Sequence, residues 1–345
     1  MTVPADGSDP FVAQAASWLA DEGVVIVPPL RARLIQGGHS NLTYELVDGT
    51  GARLVLRRPP MGHVLATAHD MGREWRFISA LAPTPVAVPM PIASCADDGV
   101  IGAPFFVMEF VDGVVLTDLT DVQTITRSAR QRAGFAMVET LAALHSVDIE
   151  AVGLDDIGPR ADFVARQLRR WQRQWEQTKP GDFAAMNELH RRLEVAMPPQ
   201  QRDTIVHGDF RLGNLMLDDA GEVLAILDWE LAALGDPLVD LGWTVMWWDP
   251  AIDTGEGPSP AALEGFAPTS ALVDHYAETT GLDVTALPYY VAFNIWRRLC
   301  IRAGVAARFA AGVMGDQERT TSVDAREEIG NGSAVAIGLL DGVRG

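Results

Sequence analysis

Apolar positions along this chain switch between helical and strand periods, and the switches outline two lobes. After Asp9-Pro10, hydrophobic residues recur at Phe11, Val12, Ala15, Trp18 and Leu19. That is the spacing of an amphipathic helix, with Asp9 as its N-cap and Pro10 at the first helical position. Gly23 ends it. Residues 31–36, 42–47 and 53–57 read as three strands, with Asp48-Gly49 marking a hairpin between the last two. A helix is expected over 66–81, stopping before Pro83, and two further strands over 91–95 and 104–111. Five strands and a helix among them make a small α+β lobe over residues 1–111. From 112 to 345 the pattern turns mainly helical, with helices expected over 126–145, 163–179, 183–195, 236–248, 270–279, 287–309 and 325–340. Asp236-Pro237 repeats the cap-then-proline start. The Gly- and Pro-containing stretch 249–269 is a connection.

One part of the second lobe breaks the helical pattern. Residues 203–230 read DTIVHGDFRLGNLMLDDAGEVLAILDWE. Apolar runs at 204–206, 215–217 and 223–227 are short and bounded by turn residues, so each reads as a strand. His207 to Gly213 is then a loop held between strands, and Asp228 follows directly on the last. Asp209 can accept a proton. Asn214 offers an amide oxygen and Asp228 a carboxylate, hard ligands that suit Mg²⁺. One acid as base with an Asn and an Asp on metal is the part list for phosphoryl transfer to a hydroxyl. The protein-kinase signature has the same order and the same five-residue step from Asp to Asn.

HGDFRLGN followed by ILDWE resembles the aminoglycoside phosphotransferase and choline-kinase-like family, a branch of the kinase fold. VLRRPP and GDPLVDLGW further resemble the subgroup related to the kinase-like domain fused to some acyl-CoA dehydrogenases. The resemblance runs from about Arg33 to Trp248. It implies a two-lobed protein-kinase-like fold of the α+β class: a five-stranded antiparallel sheet plus helix, then a larger helical lobe. It also implies an ATP- and Mg²⁺-dependent kinase, with GTP left open, acting on a small-molecule hydroxyl. In that frame Asp209 is the base and Asn214 and Asp228 are metal ligands. Residues 1–111 become the nucleotide lobe, and 112–345 the catalytic and acceptor lobe.

The nucleotide lobe departs from the kinase pattern twice. Arg57 stands where kinases place lysine on the third strand, and the helix residue Glu74 is its expected ion-pair partner. Strand alternation sends Arg57 and Arg58 to opposite faces. The phosphate loop, Gly37-Gly38-His39-Ser40-Asn41, has two glycines and no full GxGxxG, so Gly38, Ser40 and Asn41 are the candidate phosphate contacts. Glu109 and Val111 fall in the linker where adenine meets backbone. His207 is expected to support loop geometry, Asp236 to cap a helix, and Asp240 to hold the catalytic loop. Trp243, Trp247 and Trp248 are read as helix-spaced core aromatics.

Charge narrows the partners. The 46 acidic residues against 27 basic ones give a net charge of −19, which argues against a general nucleic-acid binder. Cys95 and Cys300 show no metal-binding or disulfide pattern. No apolar run is long enough to span a bilayer, so the expectation is a soluble cytoplasmic protein with no membrane partner; oligomeric state is left open. For the acceptor, the subgroup resemblance points to a hydroxyacyl-CoA or related acid. Arg166, Arg169, Arg170 and Arg173 form a basic stripe on one helix, more simply a solvated face. An aminoglycoside, a polycation drawn to an acidic protein, is the alternative. A non-catalytic nucleotide-binding module is the rival from another class, motivated by Arg57 and the altered glycine loop.

Overall fold

A computed structural model describes residues 10–35, 41–60, 70–252, 259–310 and 322–342. The chain divides into two compact units. One comprises Met1–Gly113, Glu150–Leu154 and Leu224–Ala232, the other Val114–Ile149, Asp155–Val223 and Ala233–Gly345.

The first unit is built on the expected five-stranded antiparallel sheet. Its strands are β1 (Arg31–Ile35), β2 (Leu42–Val47), β3 (Arg53–Arg58), β4 (Pro91–Cys95) and β5 (Phe105–Glu109), in the order β1-β2-β3-β5-β4. The period of two assigns each face. Leu46, Leu56 and Val107 point one way and bury against Val12, Ala15 and Leu19 of helix α1 (Pro10–Asp21). On the other face lies α2 (Met71–Leu81), where Trp75 meets Phe106 with ring centroids 5.9 Å apart. Burying each such aliphatic side chain contributes about 1.5–3 kcal/mol. The helix expected over 66–81 starts at Met71, because Asp70 caps it by accepting a hydrogen bond from the Arg73 N–H at 2.9 Å; residues 61–69 lie outside the described residues. The strand expected over 104–111 is trimmed to Phe105–Glu109. Its partner β3 begins at Arg53, so pairing ends with Leu54 opposite Glu109.

The second unit is mainly helical. It contains α3 (Leu119–Gln123), α4 (Arg127–His145), α5 (Phe163–Thr178), α6 (Ala184–Val195), α7 (Pro237–Trp248), α8 (Thr269–Thr280), α9 (Leu287–Ala310) and α10 (Ser322–Gly342). Among them run the short strands β6 (Thr204–Val206) and β7 (Leu215–Leu217). Strand β8 (Val223–Ile226) leads the chain back into the first unit, and β9 (Ala233–Gly235) returns it to the second. Two elements escape the periodicity. Helix α3 has five residues, too few to show a helical repeat, and is fixed by a capping box between Asp118 and Asp121. Strand β9 has three residues and pairs antiparallel with β6, Ile205 opposite Leu234. Helix α7 starts as expected, with the Asp236 carboxylate accepting from the Leu238 N–H at 3.0 Å. It lies close on α9: a Cβ added at Gly242 would sit 2.8 Å from the backbone carbon of Tyr290. Among the described residues no helix is long and apolar enough to cross a membrane.

Candidate active site

The loop after β6 is fastened to helix α7. Asp240, in the first turn of α7 and fully buried, accepts the His207 N–H at 2.6 Å on Oδ2 and the Gly208 N–H at 2.8 Å on Oδ1. Gly208 has φ +87°, a backbone state that glycine adopts without strain. Farther along, the Thr244 hydroxyl donates to the Phe210 carbonyl at 2.9 Å. Behind Asp240, the His145 ring reaches Oδ2 with Nε2 at 3.4 Å and the Tyr276 hydroxyl with Nδ1 at 2.7 Å. Asp240 therefore holds the loop, as expected. His207 contributes geometry: its Nδ1 accepts the Asp209 N–H at 3.3 Å.

This fastening presents Asp209. The Asn214 side-chain amide donates to Asp209 Oδ2 at 2.7 Å and to the Asp209 carbonyl at 2.8 Å. Both bonds use Nδ2, which leaves the carbonyl oxygen of Asn214 as the atom for a cation. Asp209 Oδ1 accepts two further bonds, from Trp243 Nε1 at 2.6 Å and Arg211 Nε at 3.3 Å. A carboxylate offers about four lone-pair sites, so Oδ2, with one donor among the described residues, has the more room for another.

Trp243 and Arg297 are the site residues that sequence reasoning missed. Trp243 is buried, but it is more than a core aromatic, because its indole N–H reaches Asp209. The signal was its place three residues after Asp240, which puts both on one face of α7. Arg297 of α9 is also buried. Its guanidinium lies 4.6 Å from the Trp243 ring centroid and donates to the Gly208 carbonyl at 2.6 Å. Burial pushes the Arg297 guanidinium down to about 10, while the carboxylates of Asp209 and Asp240 oppose the shift. On α5, Arg166 turns inward to donate to the Pro159 carbonyl at 2.7 Å, leaving Arg169, Arg170 and Arg173 exposed.

In the first unit a second cluster forms. Arg57 Nε pairs with Glu74 at 2.9 Å, and its terminal nitrogen pairs with Asp228 Oδ1. Burial disfavours the charge on Arg57, but Glu74, Asp228 and Glu230 outweigh it and hold the guanidinium above its ordinary value. Burial pushes Glu74 up to about 7 against the pull of Arg57, with Asp228 and Glu230 adding to the rise. Asp228 sits in the left-handed region at φ 65°, ψ 69°. Arg58 goes to the opposite face, buried beside the Tyr44 hydroxyl at 3.2 Å and over the Phe11 ring at 5.2 Å.

The remaining candidates are dispersed. Asn41 is buried just before β2, whereas Gly38 and Ser40 lie outside the described residues. Glu109 closes β5 with an exposed side chain, and its N–H donates to the Met90 carbonyl at 2.9 Å. Val111 is half-buried two residues on. The structure thus brings Asp209 together with Asn214, and Arg57 with Glu74 and Asp228.

A buried carboxylic acid whose folded value exceeds its unfolded one binds more protons in the folded state. For Glu74 that contribution to stability is full below about 4.5 and is lost as pH rises towards about 7. Glu74→Gln, which mimics the protonated acid, is therefore expected to match the wild type near pH 5. At pH 8 it should gain on the wild type by roughly 1–3 kcal/mol. Urea midpoints of both proteins at the two pH values measure this; a gap that stays constant contradicts it.

The residues fit a divalent metal of the hard, oxygen-seeking kind. Glu74, Asp228 and Glu230 all act on the single guanidinium of Arg57, so local negative charge exceeds positive. Among the described residues no three His, Cys, Asp or Glu side chains converge on one point. A cation here would take one or two side-chain oxygens and draw its other ligands from water and phosphate, as Mg²⁺ does.

A five-stranded antiparallel lobe, a helical lobe and an Asp–Asn loop pinned from a following helix define a phosphotransferase of kinase-like fold. The chain belongs to the phosphotransferase enzyme family (APH), whose model matches residues 31–275. It is 35% identical over 299 residues to acyl-CoA dehydrogenase family member 10 of Mus musculus, a match covering 82% of this chain and 27% of that protein. It is also 35% identical over 295 residues to family member 11 of Gallus gallus, covering 82% and 37%. The chain thus spans well under half the length of these relatives. Among solved structures, a Ralstonia eutropha protein provisionally named an aminoglycoside phosphotransferase superimposes with a TM-score of 0.80 at 31% identity, covering 95% of this chain and 98% of that one. A 15% identical aminoglycoside phosphotransferase solved with ADP and hygromycin B, TM-score 0.59 over 93% and 97% of the two chains, shares the fold.

Proposed function

We propose that this chain transfers the γ-phosphoryl group of ATP, with GTP as the alternative donor, to the hydroxyl of a small-molecule acceptor. The observation that carries this reading is the Asp209 carboxylate, held by Asn214 in a loop that Asp240 anchors. The acceptor hydroxyl docks on Asp209 Oδ2, the oxygen with one donor, and its proton passes there as the new P–O bond forms. The transition state is loose, so the transfer is late and Asp209 chiefly orients the hydroxyl. The Asn214 carbonyl oxygen and the Asp228 carboxylate would hold Mg²⁺, which would supply positive charge to the phosphates when bound. Arg57, oriented by Glu74, contributes a guanidinium fork to the nucleotide phosphates. Gly38, Ser40 and Asn41 are assigned to contact the nucleotide phosphates, and the backbone at Glu109 and Val111 to meet the base.

For the acceptor we favour a hydroxyacyl-CoA or related acid. The relatives named for acyl-CoA dehydrogenases support this, and so does Arg211 at 3.3 Å from Asp209, a cation set where the acceptor would lie. The name of the Ralstonia protein supports the second reading, an aminoglycoside. ATP consumption with product mass, screened over hydroxyacyl-CoAs, amino alcohols and aminoglycosides, separates them. Phosphorylation of an aminoglycoside with the larger kcat/KM overturns the acyl-CoA assignment and leaves the kinase reading intact.

If Arg57 serves phosphate, Arg57→Ala is expected to lower turnover by roughly 10- to 10²-fold, the worth of a charged hydrogen bond. Arg58→Ala should leave turnover near wild type and lower stability instead, by about 1–3 kcal/mol, because Arg58 packs on Phe11 and Tyr44. Steady-state rates and denaturant midpoints distinguish the two variants. Equal losses of turnover would place the phosphate arginine wrongly.

A further inference from the structure

We propose that Trp243 and Arg297 act as a positioning pair for Asp209: the guanidinium over the indole ring strengthens the indole N–H that fixes Asp209 Oδ1, and so turns Oδ2 toward the acceptor. This rests on the reading of Asp209 as the group that receives the hydroxyl proton.

The geometry carries it in three steps. First, the bond from Trp243 Nε1 to Asp209 Oδ1 is 2.6 Å, at the short end for a nitrogen donor on a charged oxygen. Arg211 reaches the same oxygen at 3.3 Å from a side chain one-third exposed, whereas Trp243 is 95% buried. The fixed donor is the tryptophan. Second, a cation over an aromatic face draws on its π electrons. Arg297, at 4.6 Å from the ring centroid, polarises the indole and makes its N–H a stronger donor. Third, Arg297 is buried, and among the described residues its hydrogen-bond partners include no carboxylate: it donates to the Gly208 carbonyl and, at 3.5 Å, to Asn294 Oδ1. A buried guanidinium without a directly bonded carboxylate is costly. The charges acting on it are those of Asp209 and Asp240, with Arg170 opposing. Core packing alone does not require a cation here. Its placement against the backbone beside Asp209 and against the ring that grips Asp209 gives it a role in the loop.

Neither residue touches the reacting atoms, so the test must read more than activity. The chain contains nine tryptophans, and its indole N–H groups are resolvable in a proton–nitrogen correlation spectrum. Trp243→Phe identifies the Trp243 resonance by removing it. That resonance is expected far downfield, and it should move upfield in Asp209→Asn, where a neutral amide oxygen replaces the carboxylate. It should also move upfield in Arg297→Met, and less in Arg297→Lys, which retains the charge. Should Arg297→Met fail to fold, the lysine variant and Asp209→Asn still decide. In turnover, with water as acceptor for Mg·ATP and then with any acceptor found, Trp243→Phe should lower kcat about tenfold and leave the KM for ATP unchanged. In the Asp209→Asn background the same substitution should cost nothing further. A Trp243 resonance that ignores Asp209→Asn overturns the proposal, as does an equal cost of Trp243→Phe in both backgrounds. If Asp209→Asn itself keeps wild-type turnover, the assignment of Asp209 fails. If Asp209→Asn is inactive and Trp243→Phe fully active, only the positioning pair fails.

Discussion

Asp209→Asn is expected to lose phosphoryl transfer by about 10²-fold or more, the usual scale for a positioned base. That corresponds to roughly 2.7 kcal/mol or more of transition-state stabilisation. Asparagine is nearly isosteric, and its oxygen can still accept from Trp243 and Arg211. Its amide then faces the Asn214 amide, two donors opposed, so one hydrogen bond is lost. The second bond of Asn214, to the backbone carbonyl of residue 209, survives. The loop remains tied to Asp240 through His207 and Gly208. The loss should therefore fall on kcat, with Mg·ATP affinity within a few-fold of wild type, because the interaction with the hydroxyl matures in the transition state. Steady-state kinetics beside calorimetric ATP binding separate the two effects. An equal fall in affinity and turnover would mean that the substitution disrupted the loop.

Asp228→Asn should abolish productive Mg·ATP binding, with the Mg²⁺-dependent part of the affinity falling by about 10²-fold or more. Asparagine is the substitution of choice because residue 228 has φ 65°. Asparagine tolerates the left-handed region, whereas alanine there adds about 1–2 kcal/mol of backbone cost. The fold should hold, since the Asp228 side chain is 33% exposed and sits at a strand end outside the apolar core. The variant also frees Arg57 from its pairing with Asp228, leaving it on Glu74. Calorimetry with ATP, with and without Mg²⁺, gives the metal-dependent term. An unchanged term would remove Asp228 from the ligand set.

What could be read in advance follows from locality. Asp209, Asn214 and Asp228 lie within twenty residues of one another, at strand ends whose apolar runs and turns are legible in the sequence. Asp236-Pro237 announced α7 through cap chemistry, and the alternation around Leu54, Val55 and Leu56 sent Arg57 and Arg58 to opposite faces. The phosphotransferase family itself was legible, because HGDFRLGN and ILDWE occur together. What escaped was either too short or too distant. Helix α3 and strand β9 complete no period that a pattern could show. Trp243 donates to a residue 34 positions away, and Arg297 to a carbonyl 89 positions away. Helical spacing marked Trp243 as a core aromatic and did not single out Arg297, and a core assignment does not reveal which polar atom a side chain meets. The start of α2 at Met71 depended on the Asp70 cap, which the apolar pattern over 66–81 concealed.

The most direct test of the central claim is the stoichiometry of transfer. The protein is incubated with Mg·ATP and each candidate acceptor, and ADP and acceptor mass are measured on the same sample, with Mg·ATP binding determined alongside. A phosphotransferase of the kind proposed yields one ADP for each acceptor that gains a phosphoryl group, and Asp209→Asn yields neither above its residual rate. Tight Mg·ATP binding with no ADP formed and no acceptor phosphorylated, across hydroxyacyl-CoAs, amino alcohols and aminoglycosides, would contradict it and leave a nucleotide-binding module in its place.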